Sequence, residues 1–311
     1  MHRALFVLAV LVLMMIGLTG CGSTSEPSEP ASPQVQAFFD AFLAQKYDAL
    51  PKVMDDLATA YGRDPHDVRN TLIYAHSNLW RVSEWARNPS QDPAQIPAYV
   101  GAASRYFNES YALNPSDPRI LGWIGAVGMG IGRSTGDQAL IAKGRQSIDE
   151  GVKQWPEFNL TVRAMVDDRL PPGDPGFNGA VETLWENYDV CVGEKVDRNG
   201  PKVSKYLVLM TTTGPKRACW DPPAAPHNLE GYLFFFGDML VKQGNVEVAK
   251  NIYASTRELP QYATWPLKNE LEARISDADK RAALYKDSDP SNDPEIVVDG
   301  PASCAVCHAA Q

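Results

Sequence analysis

Leu233-Phe-Phe-Phe236-Gly237-Asp-Met-Leu240, followed by Ala249-Lys-Asn-Ile-Tyr253 and then Pro260, is the stretch whose reading decides the fold. Leu233, Phe236, Gly237 and Leu240 fall at i, i+3, i+4 and i+7, the spacing of one helix face and not the alternation of a strand. The same rhythm runs from Val35 onward. Phe38, Phe39, Phe42 and Leu43 share one face of a first helix, and Val53, Leu57 and Tyr61 one face of a second. A third starts after Pro65-His66-Asp67 and carries Leu72, Ile73, Leu79, Trp80 and Trp85. No convincing hairpin signal is present. The ambiguous stretch is 186–220, where Tyr206-Leu-Val-Leu-Met210 reads either as a short strand or as one buried helical turn. The expected class is all-α, with the helical body over residues 35–285.

The quoted stretch resembles a tetratricopeptide repeat. In that family a small residue lets the first helix of a repeat approach the second, a further small residue and an aromatic pack the returning helix, and a Pro ends it. Gly237, Ala249 and Tyr253 match those offsets, while Pro260 falls one residue early. A second echo is Ala103, Phe107 and Pro115, with Leu113-Asn-Pro-Ser-Asp-Pro118 similar to the turn between repeats, and a weaker third ends at Trp155-Pro156-Glu157. The resemblance covers about 66–160 and 227–285. A generic helix-hairpin array without repeat ancestry fits the same residues. Both imply α/α helix pairs stacked into a layer.

The chain has 311 residues, 29 basic and 38 acidic, for a formal charge of -9. That length supports one large or two ordinary domains. The composition is that of a globular protein, and the absence of a basic patch argues against a nucleic-acid partner.

Met1-His2-Arg3, the apolar run Ala4–Leu18 and Leu18-Thr-Gly-Cys21 form a secretory signal whose ending resembles the bacterial lipobox. The resemblance implies removal of residues 1–20 and lipidation of Cys21. The apolar run is short for a span of ~20 residues. Cleavage removes Arg3 and no acid, so the mature charge is 28 − 38 = -10. No Asp follows Cys21, which in lipoproteins of Gram-negative bacteria implies the outer membrane, facing the periplasm. Residues 21–34 form a Ser/Pro/Glu tether with little apolar surface to bury.

The chemistry is expected in residues 286–311, read as an acidic linker and a tail. The tail contains Ser303-Cys304-Ala-Val-Cys307-His308. Cys-x-x-Cys-His is the attachment signature of c-type haem, in which two thiols add to one porphyrin and the adjacent His ligates its iron. Cys304 and Cys307 are therefore the candidate attachment sites for one haem c, and His308 the candidate proximal iron ligand. A thiol redox pair, a zinc site and a strained disulfide are the rival readings. An export signal favours haem, because c-type attachment takes place outside the cytoplasm. Cys191 and Cys219 remain, and pairing them would contribute ~3 kcal/mol on the chain-entropy account.

A second axial ligand must come from the helical body, which offers His66, His76, His227 and several methionines. His227 in Pro226-His-Asn-Leu-Glu230 is the first candidate, beside Cys219-Trp220; a solvent-exposed helix-entry His is the plainer reading. His76 suits a core histidine, and most methionines suit packing. Gly132-Arg-Ser134-Thr-Gly136 matches a nucleophile elbow on paper but follows a helical stretch and not a strand, so it reads as an inter-helix turn. Asp287-Ser-Asp289-Pro-Ser-Asn-Asp293 lacks the Gly and Glu of a calcium loop.

The leading expectation is a lipid-anchored monohaem cytochrome, an electron carrier and not a catalyst, docking a protein partner. The alternative is a non-redox scaffold lipoprotein that organises an envelope complex. Peroxide or small-ligand chemistry at a haem with an open sixth position is a third reading.

Overall fold

A computed structural model describes residues 31–87, 92–211, 213–287 and 289–310. The signal sequence, Cys21 and the tether through residue 30 lie outside the described residues, and the last two tether residues, Pro33 and Gln34, already belong to the first helix. The expected all-α class is shown. Among the described residues there are no strands, and helices pair with their sequence neighbours as an α/α array demands. No described helix is long and apolar enough to cross a membrane. The body divides into two compact units at Trp155/Pro156, where the periodicity suggested one continuous domain.

The first unit holds α1 (Pro33–Leu43), α2 (Leu50–Arg63), α3 (Val68–Arg87), α4 (Ile96–Leu113), α5 (Arg119–Thr135) and α6 (Gln138–Gln154). Ser32 and Asp137 accept backbone N–H groups at the starts of α1 and α6, satisfying donors that a helix start leaves orphaned. Phe38 and Phe42 pack edge-on against Trp80, so the phenylalanines of the first helix find their partner on α3. The glycines of α5 permit close helix contact, as their number suggested. A Cβ at Gly125 would overlap the Gly144 carbonyl and Ile148, and one at Gly132 would overlap Ile141. Gly132–Thr135 form the last turn of α5, and Gly136 (φ 75°) caps it.

The second unit holds α7 (Pro156–Met165), α8 (Pro175–Val192), α9 (Asn228–Gln243), α10 (Val246–Thr256), α11 (Lys268–Leu284) and the single turn α12 (Ala305–His308). Helix α9 is the centre. Leu233 to Phe236 are fully buried, and nearly every residue of the helix is buried, as in a helix surrounded by protein. Gly237 does what the repeat resemblance requires of it, since a Cβ there would overlap the Tyr253 ring on α10. Gly244 (φ 91°) ends α9 in the left-handed conformation.

Two expectations give way here. Tyr206–Met210 is neither a strand nor a buried turn. Val203–Leu209 is a 3-10 segment that buries Val203 and Tyr206 but leaves Val208 and Leu209 exposed. Residues 294–310, expected as linker and tail, are built into the second unit. Ile296, Val297 and Val298 are buried. The Arg281 guanidinium donates to the Glu295 carbonyl at 2.7 Å, and the Tyr285 hydroxyl to the Pro294 carbonyl at 2.6 Å. The acidic composition of 287–299 suggested a solvated strand of chain, but its apolar triplet Ile296–Val298 supplies the core contact. Cys191 and Cys219 form the expected disulfide, tying the end of α8 to the segment before α9.

Gly237→Ala is expected to cost about 1–3 kcal/mol, because overpacking the α9/α10 contact must displace Tyr253. Gly179→Ala, in α8 with open space around it, is expected to stabilise by about 0.5–1 kcal/mol. Chemical denaturation of both variants checks the pair.

Candidate functional site

Helix α12 is one turn, closed by the His308 N–H donating to the Cys304 carbonyl at 3.1 Å. That turn puts Cys304, Cys307 and His308 on the same short element, and all are buried, at 3%, 0% and 2% exposure. It packs on α9 at Gly231, where a Cβ would overlap Cys307 Sγ and crowd Val306. Glycine at 231 is thus what lets the motif approach the central helix. Trp265 Nε1–H donates to the Val306 carbonyl at 2.8 Å, and the His227 N–H to the Cys307 carbonyl at 3.0 Å.

His308 Nδ1 lies 2.6 Å from the Ala224 carbonyl. A carbonyl only accepts, so Nδ1 carries the proton and Nε2 carries the lone pair that could ligate a metal. Ligand imidazoles are commonly fixed this way. Burial pushes the His308 pKa down to about 4, which keeps the ring neutral. Burial also pushes the Cys307 thiol well up, with Asp221, Glu230 and Cys304 adding to it, so the thiol is protonated and inert.

His227, the first candidate for a second ligand, is also buried, with Nδ1 unpartnered and a pKa pushed down to about 4 by burial. The structure brings it beside the motif through its main chain. His76 is a core residue, edge-on to Phe107 and Trp123, and His66 is exposed. Met129, Met165 and Met239 are buried packing residues.

Two carboxyls at the site were not foreseen. Glu230 is fully buried on α9, and neither of its oxygens has a donor. Its carboxyl faces that of Asp221, whose Oδ1 accepts the Leu229 N–H at 2.8 Å. Two ionised carboxylates cannot share such a place, so the pair retains a proton. Burial first, and then Asp221, raise the Glu230 pKa, and burial raises that of Asp221. A lone Glu in the apolar run after Asn228 was the signal available in the sequence.

The residues fit a c-type haem in donor chemistry: two thiols and one neutral, oriented imidazole on a single turn. All three are buried, and the recess beside the disulfide, which shares Asn228 with the site, offers only about 10 Å³, far below the ~300–1,000 Å³ of ordinary ligand pockets. Among the described residues no three His, Cys, Asp or Glu side chains converge as a metal-ion site. The chain matches no known protein family, and neither a curated protein nor a solved structure is similar to it.

In the folded, haem-free chain both thiols should resist a water-soluble maleimide until denaturant is added; rapid labelling without denaturant would contradict the closed packing. Glu230→Gln should change the pH dependence of stability. A raised folded pKa means the native state binds more protons than the unfolded one above the ordinary value. Wild-type stability therefore falls as pH rises from about 4.5 toward the folded pKa, by up to about 1.4 kcal/mol per pH unit. The variant lacks that loss, so its stability relative to wild type rises between pH 5 and pH 8 in denaturant titrations.

Proposed function

We propose that the chain is a lipid-anchored monohaem c-type cytochrome of the bacterial cell envelope, exported by residues 1–20, acylated at Cys21 and exchanging electrons with a docked protein. In this reading Cys304 and Cys307 would hold the porphyrin covalently, and His308 Nε2 would ligate its iron. The carrying observation is the His308 Nδ1–Ala224 contact of 2.6 Å on the turn that also bears both thiols. When bound, the haem supplies a one-electron iron centre.

The chain's own residues do the rest. Helix α9 and Trp265 hold the turn, the Ala224 carbonyl fixes the imidazole tautomer, and burial excludes water. His227 is bonded through its main chain to Cys307, and its ring is the further imidazole that could hold the iron. Helix pairs offer docking faces of the kind repeat arrays use, and the acidic balance favours a basic partner face.

A second reading is favoured by one observation, the 0% exposure of Cys307 against Gly231. In it the cysteines are core residues of a non-redox lipoprotein that organises an envelope complex.

Optical spectra of the mature chain, produced in a host with c-type cytochrome maturation, separate the two. The cytochrome reading expects sharp reduced bands that vanish in Cys304→Ala/Cys307→Ala. Absence of haem from the wild-type chain in that host overturns it and leaves the scaffold.

A further inference from the structure

We propose that the 3-10 segment Val203–Leu209 is a membrane-contacting tip that inserts Val208 and Leu209 among anionic phospholipids while Lys202 and Lys205 meet the phosphates. Val208 is 86% exposed and Leu209 44%, the large apolar side chains that stand out in water among the described residues. Single exposed apolar side chains are ordinary, but two adjacent ones at the end of a rooted segment make a contact point.

The covering surface is identified by geometry and charge. A 3-10 helix has three residues per turn, so side chains three apart stack above one another. Lys205 and Val208 follow that spacing and form one ridge, and Lys202 precedes it in extended backbone, so two lysines stand behind an apolar end. The neighbouring ridge runs Val203, Tyr206, Leu209; its first two members are buried in the unit, and the third emerges. The segment is thus rooted at one end and apolar at the other.

Charge around it runs against the rest of the chain. From Asn199 to Trp220 there are four basic residues, Lys202, Lys205, Lys216 and Arg217, and no acid, in a protein of formal charge -9. The acids that face the segment from other elements are Glu194, paired with Lys205, and Glu258, which accepts the Ser204 N–H at 3.2 Å. The Lys205 and Glu194 side chains are 61% and 49% exposed, so their attraction is screened and Lys205 can turn to a phosphate. An apolar tip with lysines behind it is the arrangement of peripheral membrane attachment, where each basic residue near an anionic surface adds to binding. One weak insertion gives marginal, reversible binding alone and becomes effective beside a second anchor. The placement at a membrane rests on the lipid-anchor reading of Cys21.

The test removes that anchor. The full mature chain carrying Cys21→Ser, which cannot be acylated, is floated with vesicles of phosphatidylcholine containing one part in three phosphatidylglycerol. Binding to these vesicles, weaker by about tenfold in V208D/L209D, weakened likewise in K202E/K205E and lost on pure phosphatidylcholine, is the expected result. Both variants alter exposed side chains and should keep the wild-type circular dichroism. Failure of the unlipidated chain to bind anionic vesicles overturns the proposal, as does equal binding by V208D/L209D. Concentration-dependent self-association abolished by V208D/L209D, without vesicle binding, would assign the tip to a second copy of the chain and also overturn it. Failure of the lipid-anchor reading is seen separately, as a wild-type chain whose Cys21 carries no acyl mass.

Discussion

The second unit depends on one buried carboxylate. Asp238 lies in the middle of α9 at 0% exposure, where an unpaired charge would be prohibitive. It is satisfied from every side. The Tyr253 hydroxyl on α10 donates to it at 2.6 Å, the Arg274 guanidinium on α11 pairs with it, and the Val297 N–H donates at 2.7 Å. Arg281 completes the set at 3.7 Å. One side chain therefore ties three helices to the segment leading into the Cys-x-x-Cys-His turn. Removing one partner of such a set strands the others, which is costlier than the set's net worth.

That connection changes what the terminal motif is. A tail swinging on a linker would depend on the porphyrin to give it structure. Here Arg274, Arg281 and Tyr285 hold 294–299, Arg169 holds Asp299 at 3.0 Å, and α12 then falls onto Gly231. Both motif thiols are buried, and burial holds that of Cys307 protonated. On the cytochrome proposal, a porphyrin would have to be attached before this unit closes, while Cys304 and Cys307 are still accessible.

Much of the helical body was legible because its signals are local. Apolar spacing, Pro65-His-Asp67 and Asn114-Pro-Ser-Asp117 mark helix boundaries within a few residues of the observed ones. The role of Gly237 was legible because its partner Tyr253 sits at a fixed offset in one hairpin, and the 191–219 disulfide because few cysteines remained. The burial of 294–310 was not, since it rests on pairings such as Asp238 to Val297, separated by 59 residues. The acidic residues of 287–299 masked the short apolar triplet Ile296–Val298. The Asp221–Glu230 pair was hidden for the same reason, because nothing local distinguishes a carboxyl that will be buried from one that will be solvated. The split at Trp155/Pro156 was invisible because helix spacing does not change there.

The central claim is that the C-terminal turn carries a haem. Lys286 is the last basic residue, so trypsin releases 287–311 as one peptide containing both motif cysteines. Its mass, taken from the mature chain isolated from a cytochrome-c-maturing host, is the most direct measurement. The account predicts the peptide plus one haem. A peptide with two unmodified thiols, or one lighter by two hydrogens through a Cys304–Cys307 disulfide, would contradict it.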